Sequence, residues 1–131
     1  MRLHPDIFEY EGWKKSINPA LIEALDLYSV SQGRNTTALR ALLREETEGV
    51  YSFEMLSPAF CDLFLEELDN YYASGLPIAR PNSMNNYGII VNQIGMKPAV
   101  TALQRAVLHP IASMLYPLQA GSGFTSHHSF M

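Results

Sequence analysis

The sequence predicts an α+β fold, and three observations lead to that class. Three segments carry apolar residues at helical spacing, and each begins beside a proline, Pro19, Pro58 or Pro98. Two short segments, 50–55 and 88–95, alternate or are rich in β-branched residues, as strands are. Apolar residues make up 47% of the 131 residues, which is enough for one domain with a hydrophobic core.

The N-terminal third is predicted to be irregular and then helical. Residues 1–17 carry aromatic side chains without a clean period, so we expect no regular element there. Asn18 and Pro19 predict a helix start, because an asparagine side chain accepts hydrogen bonds from free N–H groups and proline suits the first turn. That helix is expected to end in residues 29–35, SVSQGRN. A second helix is predicted over residues 36–48, with three leucines on one face.

The middle of the chain is predicted to hold a strand and the clearest helix. Residues 50–55, VYSFEM, alternate between two faces as a strand does. Ser57 and Pro58 predict the start of the helix, and Gly75 predicts its end. The apolar stripe that we expect to be buried consists of Phe60, Cys61, Phe64, Leu65, Leu68, Tyr71 and Tyr72. The opposite side carries acidic residues that we expect in solvent, Asp62, Glu66, Glu67 and Asp69.

The C-terminal third is predicted to contain a strand, a kinked helix and the opening of a further strand. Residues 88–95, GIIVNQIG, form a β-branched run bounded by glycines. Pro98 predicts a helix start. Pro110 predicts a kink in that helix, because its ring clashes with the preceding turn and its N–H is missing. Residues 124–131, FTSHHSFM, have the composition of one more strand. The residues expected to face inward on the helix are Val100, Leu103, Val107, Ile111, Met114 and Leu115.

Charge and cysteine usage argue against several classes of protein. The formal net charge is −4 and the pI about 5.5, whereas a nucleic-acid binder is expected to carry a basic patch. The sequence has no apolar run of about 18 residues and no signal-peptide pattern, so no membrane span is expected. Cys61 is the single cysteine and fits a reducing compartment. We therefore expect an intracellular protein, cytoplasmic or nuclear, that binds neither nucleic acid nor membrane.

Residues 80–88, RPNSMNNYG, form a polar stretch between two apolar segments. On one interpretation its amides hydrogen-bond to irregular backbone nearby. On the other, Arg80, Asn85, Asn86 and Tyr87 point polar groups into a cleft beside a strand, where binding residues often lie. Spacing alone does not choose between these interpretations. The four residues are our candidates for the substrate or cofactor side of a site.

The histidines raise one metal hypothesis. His4 and Asp6 spell H-x-D, the first two ligands of the facial triad that holds iron, and the third ligand would be His109, His127 or His128. The match covers three residues and lies outside any strand pattern, so we favour chance occurrence. His127 and His128 are expected on opposite faces of a strand and so cannot easily share one ion. We predict no metal ligand and no catalytic residue within this chain.

Several segments together resemble a known enzyme family. They are FCDLFLEEL at 60–68, RPNSMNNYG at 80–88, NQIG at 92–95, LHPIASMLYP at 108–117 and SHHSF at 126–130. In this order they are similar to 2-oxoglutarate- and iron-dependent oxygenases related to the lysyl and prolyl hydroxylases. The subgroup that they resemble most is the 2-oxoglutarate and iron-dependent oxygenase domain-containing proteins. The likeness is strongest over the last eighty or so residues.

The resemblance implies a double-stranded β-helix, or jelly roll, carried on a helical support layer. Such enzymes hold Fe(II) through an H-x-D…H triad, bind 2-oxoglutarate and hydroxylate a C–H bond, with ascorbate left open as a further cofactor. On this basis we expect residues 1–49 to be an irregular and helical segment, and residues 50–131 to be the N-terminal portion of the oxygenase domain. The family's triad would follow Met131, so the chain looks truncated. Alone, it is expected to bind none of these cofactors and to be inactive.

The resemblance also implies partners. The missing C-terminal half of the β-helix would be the first, and a protein substrate carrying a lysine or proline the second. Strand edges left unpaired by truncation also predict self-association. The alternative to a truncated enzyme is a non-catalytic α+β protein-interaction module.

Overall fold

The computed structural model describes residues 1–84 and 87–131. Within these residues helices predominate and two short strands pair into a hairpin, which confirms the predicted α+β class. The elements are α1 Tyr10–Lys14, α2 Pro19–Val30, α3 Thr37–Ala41, β1 Arg44–Thr47, β2 Val50–Ser52, α4 Pro58–Ala73, α5 Lys97–Leu103, α6 His109–Leu115 and α7 Pro117–Ala120. The 3₁₀ helices are Pro5–Phe8 and Val91–Gln93, and Gln104–Leu108 is π-helical. No helix in the described ranges is long and apolar enough to cross a membrane.

The two capped helix starts predicted from the sequence are confirmed. Asn18 Oδ1 accepts a hydrogen bond from the backbone N–H of Ala20 at 3.1 Å. Ser57 Oγ accepts one from the backbone N–H of Phe60 at 3.2 Å. Each residue caps a helix that has proline in its first turn. The end predicted for α4 is also confirmed, because Gly75 follows the helix with φ of 70°, a left-handed conformation that glycine adopts without penalty.

The second predicted helix is wrong beyond Ala41. The helix α3 ends there, and Arg44–Thr47 pairs as β1 with the antiparallel β2, Val50–Ser52. All four residues of β1 are exposed, so they offer no apolar face that a helix could pack against the core. Gly49 turns the hairpin with φ of 74°, and its N–H donates to Glu45 Oε1 at 3.1 Å. A turn centred on glycine therefore overrides the helical spacing of the leucines.

The helix α4 buries a narrower stripe than the sequence predicts. The Phe60 and Trp13 rings lie 4.9 Å apart between centroids, which anchors α4 to α1. The prediction that Cys61 is buried is wrong, because the residue lies on the flank of the stripe and is exposed. Leu65 and Tyr72 are likewise 46% exposed. Contact with one short helix covers only the residues that face it, so the edges of the apolar stripe stay in solvent.

Glu67, expected in solvent, is only 2% exposed. Its carboxylate accepts a hydrogen bond from the backbone N–H of His4 at 2.7 Å and another from Asn70 Nδ2 at 3.2 Å. Asn70 Nδ2 also donates to the carbonyl of Met1 at 2.8 Å, and His4 Nε2 lies 2.8 Å from Glu66 Oε2. These polar groups hold the N-terminal residues over α4. They satisfy the carboxylate, which is why it can be buried.

The predicted C-terminal helix is confirmed with a distortion at Pro110. The helix runs from Lys97 to Leu115 as α5, the π-helical segment Gln104–Leu108 and α6. Pro110 lies in the first turn of α6 and has no N–H to donate to a carbonyl in the preceding turn. The widened π turn stands immediately before it, where such a break is expected. The predicted inward residues that are buried are Leu103, Val107, Ile111 and Met114.

The C-terminal segment pairs with residues 89–91. Ile89 and Met131 exchange both backbone hydrogen bonds, at 2.6 and 2.9 Å. The N–H of Val91 donates to the carbonyl of Ser129 at 2.9 Å. An antiparallel bridge therefore forms where the sequence predicts two strands.

The predicted strands are shorter in the structure. The prediction for 88–95 is wrong beyond the bridge, because Val91–Gln93 is a 3₁₀ helix. The strand predicted over 50–55 is confirmed only for Val50–Ser52. Of the predicted strand 124–131, the bridge involves Phe130. A strand is stable only along the length of its partner, and both partners here are short.

One hydrophobic core joins the helices. Its most deeply buried large side chains are Leu21, Leu39, Met96 and Val107, from α2, α3, the N-terminal flank of α5 and the π-helical segment. Val91, which pairs with the C-terminal segment, belongs to the same core. The core therefore fixes the position of the pairing between residues 89–91 and 129–131 relative to the helices.

Candidate functional site

His127 lies where the C-terminal segment crosses the helix α5. Its Nε2 is 2.9 Å from Thr101 Oγ1, and its Nδ1 is 3.0 Å from Ser129 Oγ. A hydroxyl can donate or accept, so both contacts hold the ring in either tautomer. His127 is half-buried and fixes the segment to the helix through its side chain.

Two amide side chains hold the backbone of the same segment. Asn92 Nδ2 donates to the carbonyl of His127 at 3.1 Å, and Gln104 Nε2 donates to that of Ser126 at 3.4 Å. Gln104 is 8% exposed and opens the π-helical segment. Asn92 Oδ1 is buried and has no hydrogen-bond partner in the described ranges 1–84 and 87–131. An unpaired buried acceptor costs about 1–3 kcal/mol, so this oxygen is a place where a donor would be favoured.

The stretch 80–88 meets the C-terminal segment at two points. His128 Nε2 lies 3.0 Å from the carbonyl of Pro81, which is buried. Gly88 takes φ of 128°, and a Cβ on it would lie 2.8 Å from the carbonyl oxygen of Met131 and 2.9 Å from Pro81 Cγ. Only glycine fits that backbone and that space. Pro81 and Gly88 therefore lie beside the paired segments. Within the stretch Asn82 Oδ1 accepts a hydrogen bond from the backbone N–H of Met84 at 2.9 Å, a local contact of the kind that the first interpretation predicts.

The four candidate residues of this stretch have different positions. Arg80 is exposed, and Tyr87 is 92% exposed. Asn85 and Asn86 lie outside the described residues. The Tyr87 ring is thus accessible from solvent rather than part of the core.

An apolar cleft of about 280 Å³ opens next to the paired segment. Trp13 and Phe64 line it from the helices, and Val91 lines it from the other side. Phe130 and Met131 complete it and remain 45% and 55% exposed. The helices and the paired strands thus share an apolar surface that solvent reaches.

The described residues do not fit an iron ion. His4 Nε2 is occupied by Glu66, and Asp6 is exposed with Lys15 Nζ 4.0 Å away. His109 packs edge-on against the Phe124 ring at 5.8 Å, away from the N-terminus. Among residues 1–84 and 87–131, no three His, Cys, Asp or Glu side chains are grouped so that they could hold a metal.

Sequence reasoning missed the amides of this site. The β-branched run 88–95 predicts a strand that contains Asn92, and no motif in the sequence indicates a role for Gln104. The signal for Gln104 is visible in the sequence, since it is a polar residue between Leu103 and Val107 on the buried stripe of its helix. Thr101 carries no such signal, because an exposed threonine on a helix is common.

Loss of the His127 ring is expected to loosen the C-terminal segment. His127→Ala removes the contacts with Thr101 and Ser129, which should lower the free energy of local opening by about 1–2 kcal/mol. The backbone N–H groups of Val91 and Met131 should then exchange about 5–30-fold faster with solvent deuterium. The matched variant His128→Ala removes one hydrogen bond, to Pro81, and a ring contact with Phe130 from an exposed side chain, and should change exchange by less than about threefold. Equal acceleration in both variants would contradict this role for His127.

The sequence matches the family model described as the OGFOD2-like domain over residues 1–121. The chain belongs to the OGFOD2-like family. This confirms the resemblance to 2-oxoglutarate- and iron-dependent oxygenases for this N-terminal region.

Three relatives illustrate the match. The chain is 39% identical to 2-oxoglutarate and iron-dependent oxygenase domain-containing protein 2 of Xenopus tropicalis over 106 residues, which is 79% of this chain and 30% of that protein. It is 34% identical to the Homo sapiens protein of the same name over 111 residues, 82% of this chain and 32% of that protein. It is 28% identical to the domain-containing protein ICU11 of Arabidopsis thaliana over 134 residues, 99% of this chain and 32% of that protein.

The chain spans about a third of the length of these curated relatives. No solved structure matches it significantly. The family assignment therefore rests on sequence, and the roles of individual residues rest on the contacts in this structure.

Proposed function

We propose that residues 1–131 form the N-terminal part of a 2-oxoglutarate- and Fe(II)-dependent dioxygenase that hydroxylates a peptidyl lysine or proline. The observation that carries the proposal is the OGFOD2-like match over residues 1–121. Relatives in several organisms are named for dependence on both cofactors. The choice of lysine or proline rests on the resemblance of the chain to oxygenases related to the lysyl and prolyl hydroxylases, and residues 92–95 also resemble the lysyl hydroxylases themselves.

In this proposal the helices support the first strand of a double-stranded β-helix. The backbone bonds of Ser129 and Met131 all go to residues 89–91. In an antiparallel ladder the backbone groups of the residue between them, Phe130, point the other way and can receive another strand. The apolar cleft beside this edge supports the same idea, because added strands would cover it. Residues 50–131 would then be the opening portion of the oxygenase domain, and residues 1–49 its N-terminal support.

Fe(II) and 2-oxoglutarate would bind to the part of the enzyme that corresponds to the relatives' sequence outside the matched region. Bound together there, Fe(II) and 2-oxoglutarate would activate dioxygen, which is the oxidant of the hydroxylation. The present residues would position the substrate. Arg80, Asn85, Asn86 and Tyr87 would lie on the substrate or cofactor side, and the exposed Tyr87 ring is available for contact with a peptide. Alone, the 131 residues would not turn over.

A turnover assay tests this function. A protein that has the full length of the relatives should release succinate when it is incubated with Fe(II), 2-oxoglutarate and a peptide that contains lysine or proline. Residues 1–131 alone should release none. Assays with and without ascorbate would decide its role. In the active protein, Tyr87→Ala should lower kcat/KM by about tenfold, which is about 1.4 kcal/mol of transition-state stabilisation. The matched control is Leu118→Ala, at a residue that is 94% exposed and outside the site, and its kcat/KM should be unchanged.

The outcomes separate the parts of the proposal. Succinate release that no lysine or proline peptide stimulates would remove the substrate assignment and leave the dioxygenase. An unchanged kcat/KM for Tyr87→Ala would remove that residue from the substrate side. Absence of turnover from an iron-loaded, folded protein would contradict the dioxygenase activity. The alternative function, a non-catalytic interaction module, would then be favoured.

A further inference from the structure

We propose that a groove along the helix α5–α6 binds an extended acidic segment of a partner protein. The groove consists of two adjoining depressions of about 640 and 540 Å³, and both are lined by Arg105 and Ala106. Tyr10 of α1 borders one end, and residues 25–29 of α2 border the other. We call this surface the basic groove. It contains none of the residues assigned above to the substrate side, so it does not depend on the proposed enzyme function.

The floor of the basic groove is a ridge of small or flat side chains. Pro98, Ala102, Ala106 and Pro110 follow one another every four residues along the helix. Residues at this spacing lie above one another on an α-helix, and across the π-helical segment it is the lining of the two depressions that places Ala106 and Pro110 on the same side. Twelve residues of helix extend over about 18 Å, the length of five to six residues of extended peptide. Since no long side chain rises from this ridge, the backbone of a peptide can approach the helix closely.

A second ridge beside the floor carries positive charge. Lys97, Arg105 and His109 follow the same four-residue spacing, with Thr101 between the first two. Lys97 and Arg105 are exposed, and within residues 1–84 and 87–131 neither forms an ion pair. The chain as a whole has a net charge of −4. Two cations that form no ion pair within these ranges, on a protein with a negative net charge, favour an acidic ligand.

One carboxylate lines the groove. Asp26 lines the second depression, which Arg105 and His109 also line. At the other end burial, and then the charge of Glu11, raises the pKa of the Tyr10 hydroxyl. The first depression, which Lys97 and Arg105 both line, has no carboxylate in its lining. We therefore expect the acidic side chains of the partner to lie over Arg105 and extend toward Lys97.

The spacing of the cations favours a peptide over a small dicarboxylate. Lys97 and Arg105 are eight residues apart, which is about 12 Å along a helix. A five-carbon dicarboxylate is too short to reach both. In an extended peptide, residues four apart are separated by about 13 Å and point to the same side. Acidic residues at that separation match the two cations.

Binding of a designed peptide tests the inference. The probe is a dye-labelled peptide of eight residues with glutamate at positions 2, 4 and 6 and alanine or serine elsewhere, and its counterpart has glutamine at those positions. Fluorescence anisotropy with the purified protein should show at least about tenfold tighter binding of the glutamate peptide. The double variant Lys97→Gln, Arg105→Gln should weaken that binding by at least about tenfold.

Two further variants separate the groove from general charge. Arg34→Gln with Arg40→Gln makes the same change in net charge at exposed residues outside the groove, and should weaken binding by less than about twofold. Ala106→Phe keeps every charge but fills the floor, and should weaken binding by at least about tenfold. Each variant is accepted only with an unchanged thermal unfolding curve.

Several results would overturn the inference. Equal binding of the two peptides, or equal weakening by both charge variants, would show that the groove does not select acidic residues. Full displacement of the peptide by free glutarate would assign the cations to a small dicarboxylate instead. A dimer in size-exclusion chromatography that the Lys97/Arg105 variant dissociates would show that a second copy of this chain occupies the groove.

Discussion

Replacement of Leu21 by alanine is expected to lower the free energy of unfolding by about 2–5 kcal/mol. Leu21 lies on α2, is fully buried, and is surrounded by the core that joins the helices. Truncation removes apolar contacts and leaves a cavity that the neighbouring helices can close only in part. Chemical denaturation monitored by Trp13 fluorescence would measure the change, since that indole is buried in the same core.

The control for Leu21 lies on the same helix. Leu27 is 44% exposed, so Leu27→Ala makes the same chemical change while removing far less buried surface. Its effect should stay within about 0.5 kcal/mol. Similar losses from both substitutions would mean that helix propensity, rather than packing, sets the stability of α2.

Replacement of Gly12 by alanine should also destabilise the protein, by about 1–3 kcal/mol. In an exposed helix this change normally stabilises by about 0.5–1 kcal/mol, because alanine restricts the unfolded chain. Here the added Cβ would lie 2.0 Å from the carbonyl oxygen of Asp6 and 2.5 Å from its carbonyl carbon. The 3₁₀ helix Pro5–Phe8 would have to move, although its Ile7 and Phe8 side chains are held in the core.

The direct measurement compares the thermal unfolding temperature of the Gly12→Ala protein with that of the Glu11→Ala protein. Glu11 is an exposed neighbour on α1, so its replacement tests helix propensity without a clash and should change stability by less than about 0.5 kcal/mol. A Gly12→Ala protein that melts above the unmodified one would show that Pro5–Phe8 does not press on α1.

The candidate site shows which interactions were visible in the sequence. The stretch 80–88 is recognisable in the sequence because nine mostly polar residues stand between apolar segments, and in the structure its Pro81 meets His128 of the C-terminal segment. The contacts of His127 with Thr101 and of Gln104 with Ser126 are not recognisable in the sequence. They join residues 22 to 26 positions apart, and no local pattern specifies which hydroxyl or carbonyl a side chain meets across a turn of the chain.

The sequence by itself determined the starts of α2, α4 and α5, the family and part of the core. The prediction that residues 1–17 hold no regular element is wrong, because the 3₁₀ helix Pro5–Phe8 and α1 lie there and place Ile7, Phe8 and Trp13 in the core. The caps at Asn18 and Ser57 and the stop at Gly75 are local, because each depends on backbone groups within a few residues. The inward stripe of the C-terminal helix is equally local, since helical periodicity alone places its members on one face.

The tertiary structure decided the features that depend on distant partners. Glu67 is buried because the backbone of His4, 63 residues away, donates to its carboxylate, and Cys61 is exposed because no neighbouring element covers its side of α4. The pairing of residues 89–91 with 129–131 joins two segments far apart in the sequence, so no local pattern specifies it. Periodicity tells which residues share a face, but what covers that face depends on how the elements pack, and that information is not local in the sequence.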